Sequence, residues 1–299
     1  MIKVENISKS YGDVQALNGI SFEVQKGQLF GLIGPDGAGK TSLFRILTSL
    51  LIPTGGKAVV KDFDVVKDYK SIRKIVGYMP EHFSLYMDLT VEENLNFFAT
   101  VFNTTVKENY HLIEDIYKLL EPFKDRRAGA LSGGMKQKLA LSCALIHKPE
   151  ILLLDEPTTG VDPVSRKEFW DMLKKLKKSG LTTLVSTPFM DDAELCDEVA
   201  LIQNGNILSI DTPVNIAANY PHKLWKVVTV NNYHTLKALE KFKDKISAFS
   251  FGHSVHLATA DSISEENIRE HLLNNNIKID KIDPINASIE DVFMELMKS

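Results

Sequence analysis

Three stretches of this chain are apolar, or nearly so, at every position: Leu29–Ile33, residues 151–154 and residues 182–185. A strand with one face in water alternates; a strand buried on both faces does not, and mostly parallel sheets covered by helices supply that environment. These runs predict an α/β core. The first ends in glycines and is followed by apolar residues at helical spacing over 42–47. The second ends in Asp155-Glu156-Pro157, and the third follows a lysine-rich helix over 165–178. Ahead of them, residues 2–7 and 20–24 alternate about a Tyr11-Gly12-Asp13 turn signal and read as an antiparallel pair. Between the first two runs, Thr90-Val91-Glu92-Glu93 is a capping box opening one helix and residues 110–120 read as another, which predicts an inserted helical subdomain over about 82–148.

The tail differs. Asp211-Thr212-Pro213 and the polar stretch 217–223 read as a linker after a turn at Gly205, dividing the chain into domains 1–215 and 216–299. Strand 224–230, helix 233–242, strands 246–251 and 254–259, helix 264–274 and strand 277–285 give the order βαββαβ, a small α+β ferredoxin-like domain closed by an amphipathic helix over 288–297. The alternative is a set of loosely related elements packed on the main domain. Lys plus Arg total 35 against 39 Asp plus Glu, so no basic field argues for nucleic acid, and none is expected as a partner. The apolar runs fall far short of the roughly 18–20 residues of a membrane helix, the N-terminus lacks a signal-peptide pattern, and Cys143 and Cys196 are the only cysteines. A cytosolic chain, soluble when isolated, is the expectation.

Gly34-Pro35-Asp36-Gly37-Ala38-Gly39-Lys40-Thr41 fits the pattern G-x-x-x-x-G-K-[ST] between a strand and a helix, the context that marks a phosphate-binding loop. Its glycines let backbone N–H groups converge on a polyphosphate, and the following helix aims its positive end at the same anion. Lys40 supplies a cation to the outer phosphates. Thr41 offers a hydroxyl to Mg²⁺, Asp155 a carboxylate through the ion's water shell, and Glu156 a base for the attacking water. Alone, Asp155-Glu156-Pro157 also suits a strand-terminal turn.

Leu131-Ser132-Gly133-Gly134-Met135-Lys136-Gln137 opens a further helix. Together with the phosphate loop and residues 152–160, Leu-Leu-Leu-Asp-Glu-Pro-Thr-Thr-Gly, it resembles the ATP-binding subunit of ABC transporters over residues 1 to about 215. The resemblance implies a head-to-tail dimer, with ATP between the loop of one subunit (residues 34–41 and Ser42) and Leu131, Ser132, Gly133, Gly134 and Gln137 of the other. It implies that Tyr11 stacks on the adenine, the alternative being an ordinary strand-end aromatic, and that Asp162 couples the two sites, the alternative being a turn acid before Pro163. The closing segment Ala287-Ser288-Ile289-Glu290-Asp291-Val292-Phe293 resembles that of ATPases serving ABC-2 type exporters, the alternative being a Ser288-capped amphipathic helix whose Ile289, Val292, Phe293 and Leu296 pack on the tail domain whatever the function. The implied partners are an integral-membrane permease and a second ATPase subunit, at the cytoplasmic face of the membrane. Phe83, Leu85 and Tyr86 are expected at the exposed surface that receives the permease, the alternative being that core packing accounts for some of them.

Two positions depart from the family pattern. The family's glutamine, which contacts Mg²⁺ and the attacking water and couples the site to the membrane subunit beside it, is Glu81 here, still able to bind the ion but adding negative charge, and the switch histidine is Pro188, which has neither side-chain donor nor N–H. A third change, asparagine to Asp36, is milder. They suggest a site that binds ATP and hydrolyses it slowly, with an intact signature segment completing another subunit's site, so a heterodimer is favoured over a homodimer. The alternatives are a rearranged but competent site, a non-transport ABC ATPase acting on ribosomes or DNA, and a regulatory nucleotide-binding subunit.

Overall fold

The computed structural model describes residues 1–297, and the chain divides into two compact units, Met1–Pro213 and the residues from Val214 onward. The first unit opens with β1 (Ile2–Tyr11) and β2 (Val14–Val24), antiparallel about the Gly12-Asp13 turn with Ile2 opposite Val24 and Tyr11 opposite Val14. Then come β3 (Leu29–Ile33), α1 (Lys40–Leu47), β4 (Gly55–Val60) and β5 (Phe63–Asp64). The antiparallel sheet has four strands, β2-β1-β4-β5, twice the expected number, because Gly55-Gly56 hides the start of β4.

The core continues through α2 (Tyr69–Ile75), β6 (Val76–Met79), α3 (Val91–Val101), α4 (Val106–Tyr117), α5 (Gly133–Leu145), β7 (Ile151–Asp155), α6 (Pro163–Lys178), β8 (Thr182–Thr187), β9 (Glu198–Gln203) and β10 (Asn206–Asp211). The six strands run β10-β9-β3-β8-β7-β6, every neighbouring pair parallel except β10 with β9. As the apolar runs require, β3, β7 and β8 are buried at every residue. Helix α1 touches β7 of one sheet and β2 and β4 of the other, so Phe44 and Leu47 join Leu153 and Ile20 in one core. Capping boxes of Thr90 with Glu93 and Thr105 with Glu108 start α3 and α4, and both helices pack on α5.

The stretch expected as a linker contains a short helix, α7 (Pro213–Ala218). Beyond it, β11 (Lys223–Thr229), α8 (Asn232–Leu239), β12 (Lys245–Phe251), β13 (Ser254–Thr259), α9 (Glu265–Asn274) and β14 (Ile279–Ile285) build an antiparallel sheet ordered β12-β13-β11-β14, two interleaved βαβ halves of the ferredoxin-like kind. Leu239, Ile268 and Leu272 pack on Trp225, Val227 and Leu257. The closing helix α10 (Ile289–Leu296) is capped by Ser288, and its Asp291 meets His256 Nδ1 on β13 at 2.8 Å. Among the described residues no helix is long and apolar enough to cross a membrane.

Phe44 is fully buried in the core shared by the two sheets. Phe44→Ala is expected to cost about 3–5 kcal/mol, read as a lower midpoint in urea unfolding.

Candidate functional site

The loop after β3 is shaped by close approach. A Cβ on Gly34 would lie 2.1 Å from the Ile202 carbonyl oxygen; Gly39, at φ +103°, would bring one to 2.4 Å from that of Ala16. Gly39 is also the N-cap of α1 and offers no side chain to the first-turn N–H groups, which leaves them for a ligand. Lys40 is buried, its Nζ donating to the carbonyls of Gly34 (2.8 Å) and Pro35 (2.9 Å) and lying 2.9 Å from Glu156 Oε1. Those three contacts use all the donors an ammonium has. Tyr11, at the end of β1, keeps an exposed ring while its hydroxyl lies 3.3 Å from Ser42 Oγ in the first turn of α1.

Asp155 and Glu156 are adjacent and buried where β7 ends. Ser186, opposite on β8, serves both: its Oγ donates to Asp155 Oδ1 (2.6 Å) and accepts from the Glu156 N–H (3.0 Å). Glu156 sits at φ +50°, unusual for a side chain with a Cβ, and Thr159 donates to its Oε2 at 3.1 Å. Asp155 Oδ2 is buried without a hydrogen-bond partner. Burial raises the Asp155 pKa, against the Ser186 and Thr41 hydroxyls and with the charges of Glu156 and Glu81. Such an oxygen suits a hydrated cation. Among the described residues no three His, Cys, Asp or Glu side chains gather into a metal cage. An ion that keeps water and takes phosphate oxygens, as Mg²⁺ does, therefore fits better than one needing protein ligands throughout. Glu81, near enough to act on Asp155, is half-exposed beside His82.

The signature segment lies apart from this cluster. Ser132 is the N-cap of α5, its Oγ accepting from the Met135 N–H at 3.4 Å, and Gly134 presses on Ser165 at the start of α6. Leu131 is buried and Gln137 half-buried. Among the described residues no hydrogen bond joins 131–137 to 34–42. Asp162 caps α6, accepting from the N–H groups of Val164 (3.1 Å) and Ser165 (3.0 Å), and the latter bond is the main cause of its lowered pKa. At the switch position Pro188 follows Thr187, whose Oγ1 donates to buried Asp192 (2.8 Å), itself paired with Arg166. Sequence reasoning missed Ser186, Thr187, Asp192 and Arg166; the available signal was hydroxyl residues ending a fully buried strand. A cavity of about 310 Å³ between sheet and helical subdomain is lined by Arg73, Tyr78, Leu85, Phe98, Phe102 and His147. Of the residues expected at that surface, Tyr86 is exposed and Phe83 half-exposed, but Leu85 is buried because it fills the cavity wall.

Gly39→Ala is expected to lose more stability than the roughly 1–2 kcal/mol of left-handed backbone alone, because its methyl meets the Ala16 carbonyl. Gly37→Ala, at φ +79° with nothing within 4 Å, pays the backbone term only. Urea midpoints of the two variants check the ranking.

The sequence pattern described as "ABC transporter" matches residues 17–159. The probable multidrug ABC transporter ATP-binding protein YbhF of Escherichia coli K12 is 40% identical over 220 residues, 73% of this chain. The match spans only 38% of that relative's length. The Nod factor export ATP-binding protein I of Rhizobium sp. strain N33 is 39% identical over 215 residues, 71% of each chain. Among solved structures, the dimeric post-hydrolysis state of the ATP-binding cassette MJ0796 bound to ADP and Pi superposes with a TM-score of 0.64 at 25% identity, over 71% of this chain and 98% of that one. With its phosphate loop, paired carboxylates and signature helix on this sheet, and with that extent of similarity, the chain belongs to the ABC transporter ATP-binding family.

Proposed function

We propose that this chain is the ATP-binding and ATP-hydrolysing subunit of an ABC-type exporter, driving a separate ABC-2 type permease at the cytoplasmic face of the membrane by associating with a second ATPase subunit. The observation that carries this reading is the buried cluster of Lys40, Asp155 and Glu156 at the carboxyl ends of parallel strands. The names of the export relatives support the direction of transport.

In this reading the free N–H groups of α1 and Lys40 bind the phosphates of ATP, and the exposed Tyr11 ring receives the adenine. Thr41 and Asp155 would hold Mg²⁺, with Glu81 beside them, and the ion would neutralise charge on the phosphates. Because every Lys40 donor is engaged, an arriving phosphate displaces the Glu156 carboxylate. Glu156, so released, accepts the proton of the attacking water. Ser132, Gly133 and Gly134 present a second helix N-terminus to the partner subunit's nucleotide, and Asp162 holds the adjoining turn. The cavity beneath Leu85, with Tyr86 and Phe97 exposed nearby, is the surface offered to the permease. Glu81 and Pro188 make this chain's own site slow, which favours a heterodimer with a fully equipped partner.

Glu156→Gln is expected to lower single-turnover hydrolysis by at least about 10²-fold while ATP binding is kept or tightened, since the competitor for Lys40 loses its charge; hydrolysis at the unmodified rate overturns the role of Glu156. Pro188→His combined with Glu81→Gln should raise the rate, by up to about 10²-fold for a restored donor to the developing charge. An unmodified chain already as fast as this variant overturns the slow-site reading. Recovery from detergent extracts with a polytopic protein supports the transport reading, and recovery with ribosomes reverses it.

A further inference from the structure

The signature helix and the phosphate loop share no hydrogen bond, yet an unbroken set of contacts runs from one to the other through α6. At the first joint, Gly134 and Ser165 are packed so closely that a Cβ on Gly134 would lie 2.3 Å from Ser165 Oγ. The next residue, Arg166, is anchored by its own N–H to the Asp162 carbonyl at 2.9 Å. Its guanidinium donates to Asp192 Oδ1 from Nε (3.1 Å) and Nη2 (2.7 Å). The other carboxylate oxygen, Oδ2, accepts from Thr187 Oγ1 at 2.8 Å, and the Thr187 carbonyl accepts from the Gly34 N–H at 3.2 Å. Asp192 and Thr187 are each 1% exposed, so water does not reach the carboxylate or the hydroxyl, while the Arg166 side chain is 24% exposed.

The departure at position 188 gives this path its weight. Pro188 has no N–H and no polar side chain, and the loop beyond it is held by two contacts of the same residues: the Phe189 N–H donates to Thr187 Oγ1 (3.1 Å), and the Arg166 guanidinium lies 4.2 Å from the centre of the Phe189 ring. One buried carboxylate thus fixes three pieces of backbone: the start of α6, the end of β8 and the turn after it. Removing its cation would leave the buried carboxylate with the Thr187 hydroxyl as a donor and no neutralising charge, so loss of the pair is costly.

We propose that the Arg166–Asp192 pair is a positioning element that ties this chain's phosphate loop to its own signature helix, so that the two half-sites the chain contributes move together. Neither residue touches the reacting atoms; they act through Thr187 and Ser165. The kinetic part of the test rests on the ATPase reading above, whereas the exchange part does not.

In hydrogen exchange on the full chain without nucleotide, Arg166→Gln is expected to speed exchange by about tenfold at the amides of 29–41 and of 133–139 together, with 2–24 unchanged. Arg166→Lys, which keeps the charge, should give a smaller rise at the same places and covers the case in which the glutamine variant fails to fold. A rise confined to 163–172 overturns the proposal. In ATP hydrolysis, Arg166→Gln and Asp192→Asn should each lower kcat about tenfold with KM within about twofold, and the double variant should be no worse than the poorer single one. Losses that multiply show two independent residues and overturn it. A chain that shows the exchange pattern but never hydrolyses ATP, alone or with a second ATPase subunit, overturns the functional reading and leaves the positioning element standing.

Discussion

Two adjacent carboxylates are buried at the end of one strand, and the surroundings are arranged to make that tolerable. Charges in such a place repel each other and lose their hydration, so each needs donors supplied by the fold. Ser186 meets part of the need for both, which works because parallel pairing sets Asp155 opposite Ser186. Lys40 neutralises Glu156, and Thr159 donates to its second oxygen. Asp155 receives less: one oxygen is bonded and the other is not, and burial raises its pKa. The incompletely satisfied group is the one whose proposed task is to hold a hydrated ion. The left-handed backbone at Glu156 is the local strain that turns its carboxylate to Lys40 instead of along the strand.

Much of the core was legible because burial on both faces leaves a pattern that amphipathic elements cannot imitate. The runs in β3, β7 and β8 identified the central strands, and the motifs at their ends located Lys40, Asp155 and Glu156. β9 escaped although residues 199–202 are a continuous apolar run buried at every position, and other strands escaped because they lack that pattern. β6 contains Gly77, where the Ala144 carbonyl leaves no room for a side chain, and a glycine in a four-residue strand resembles a turn. β10 is an antiparallel edge strand with mostly half-buried residues, and so lacks the continuous apolar signature. α7, only six residues long, lies in a stretch whose composition reads as a linker. In the second unit β11 and β13 are buried at most positions rather than alternately, but short apolar strands and capped helices separated by turn signals let the βαββαβ order be followed element by element.

The site residues that escaped share a chemistry. Ser186 and Thr187 are short hydroxyl residues at the end of a strand, where composition makes them unremarkable, and only the neighbouring strands reveal that their oxygens face carboxylates and a loop N–H. Asp192 and Arg166 lie 26 residues apart, beyond the reach of local pattern, and their pairing depends on how α6 packs beside the turn after β8. Leu85 illustrates the converse error. It lies in a stretch that looks uniformly exposed, but neighbouring side chains diverge, with Tyr86 outward and Leu85 into the cavity wall.

The two helix N-termini that the proposed function assigns to nucleotides differ in a way that bears on their division of labour. At α1 the cap is Gly39, which contributes no acceptor, so the first-turn donors are uncommitted and a neighbouring lysine reinforces their attraction for an anion. At α5 the cap is Ser132, whose oxygen accepts from Met135 at 3.4 Å, a long bond that satisfies the helix weakly. In the proposed function the first holds phosphate by itself. The second keeps one weak side-chain bond without a ligand and gives up little when one arrives, as the proposed meeting with another subunit's nucleotide requires. The proposed slow chemistry at the first and an intact second are therefore compatible: a proline at position 188 bears on turnover at this chain's own loop and, among the described residues, shares no hydrogen bond with Ser132, Gly133 or Gly134, the groups proposed to meet a partner's nucleotide.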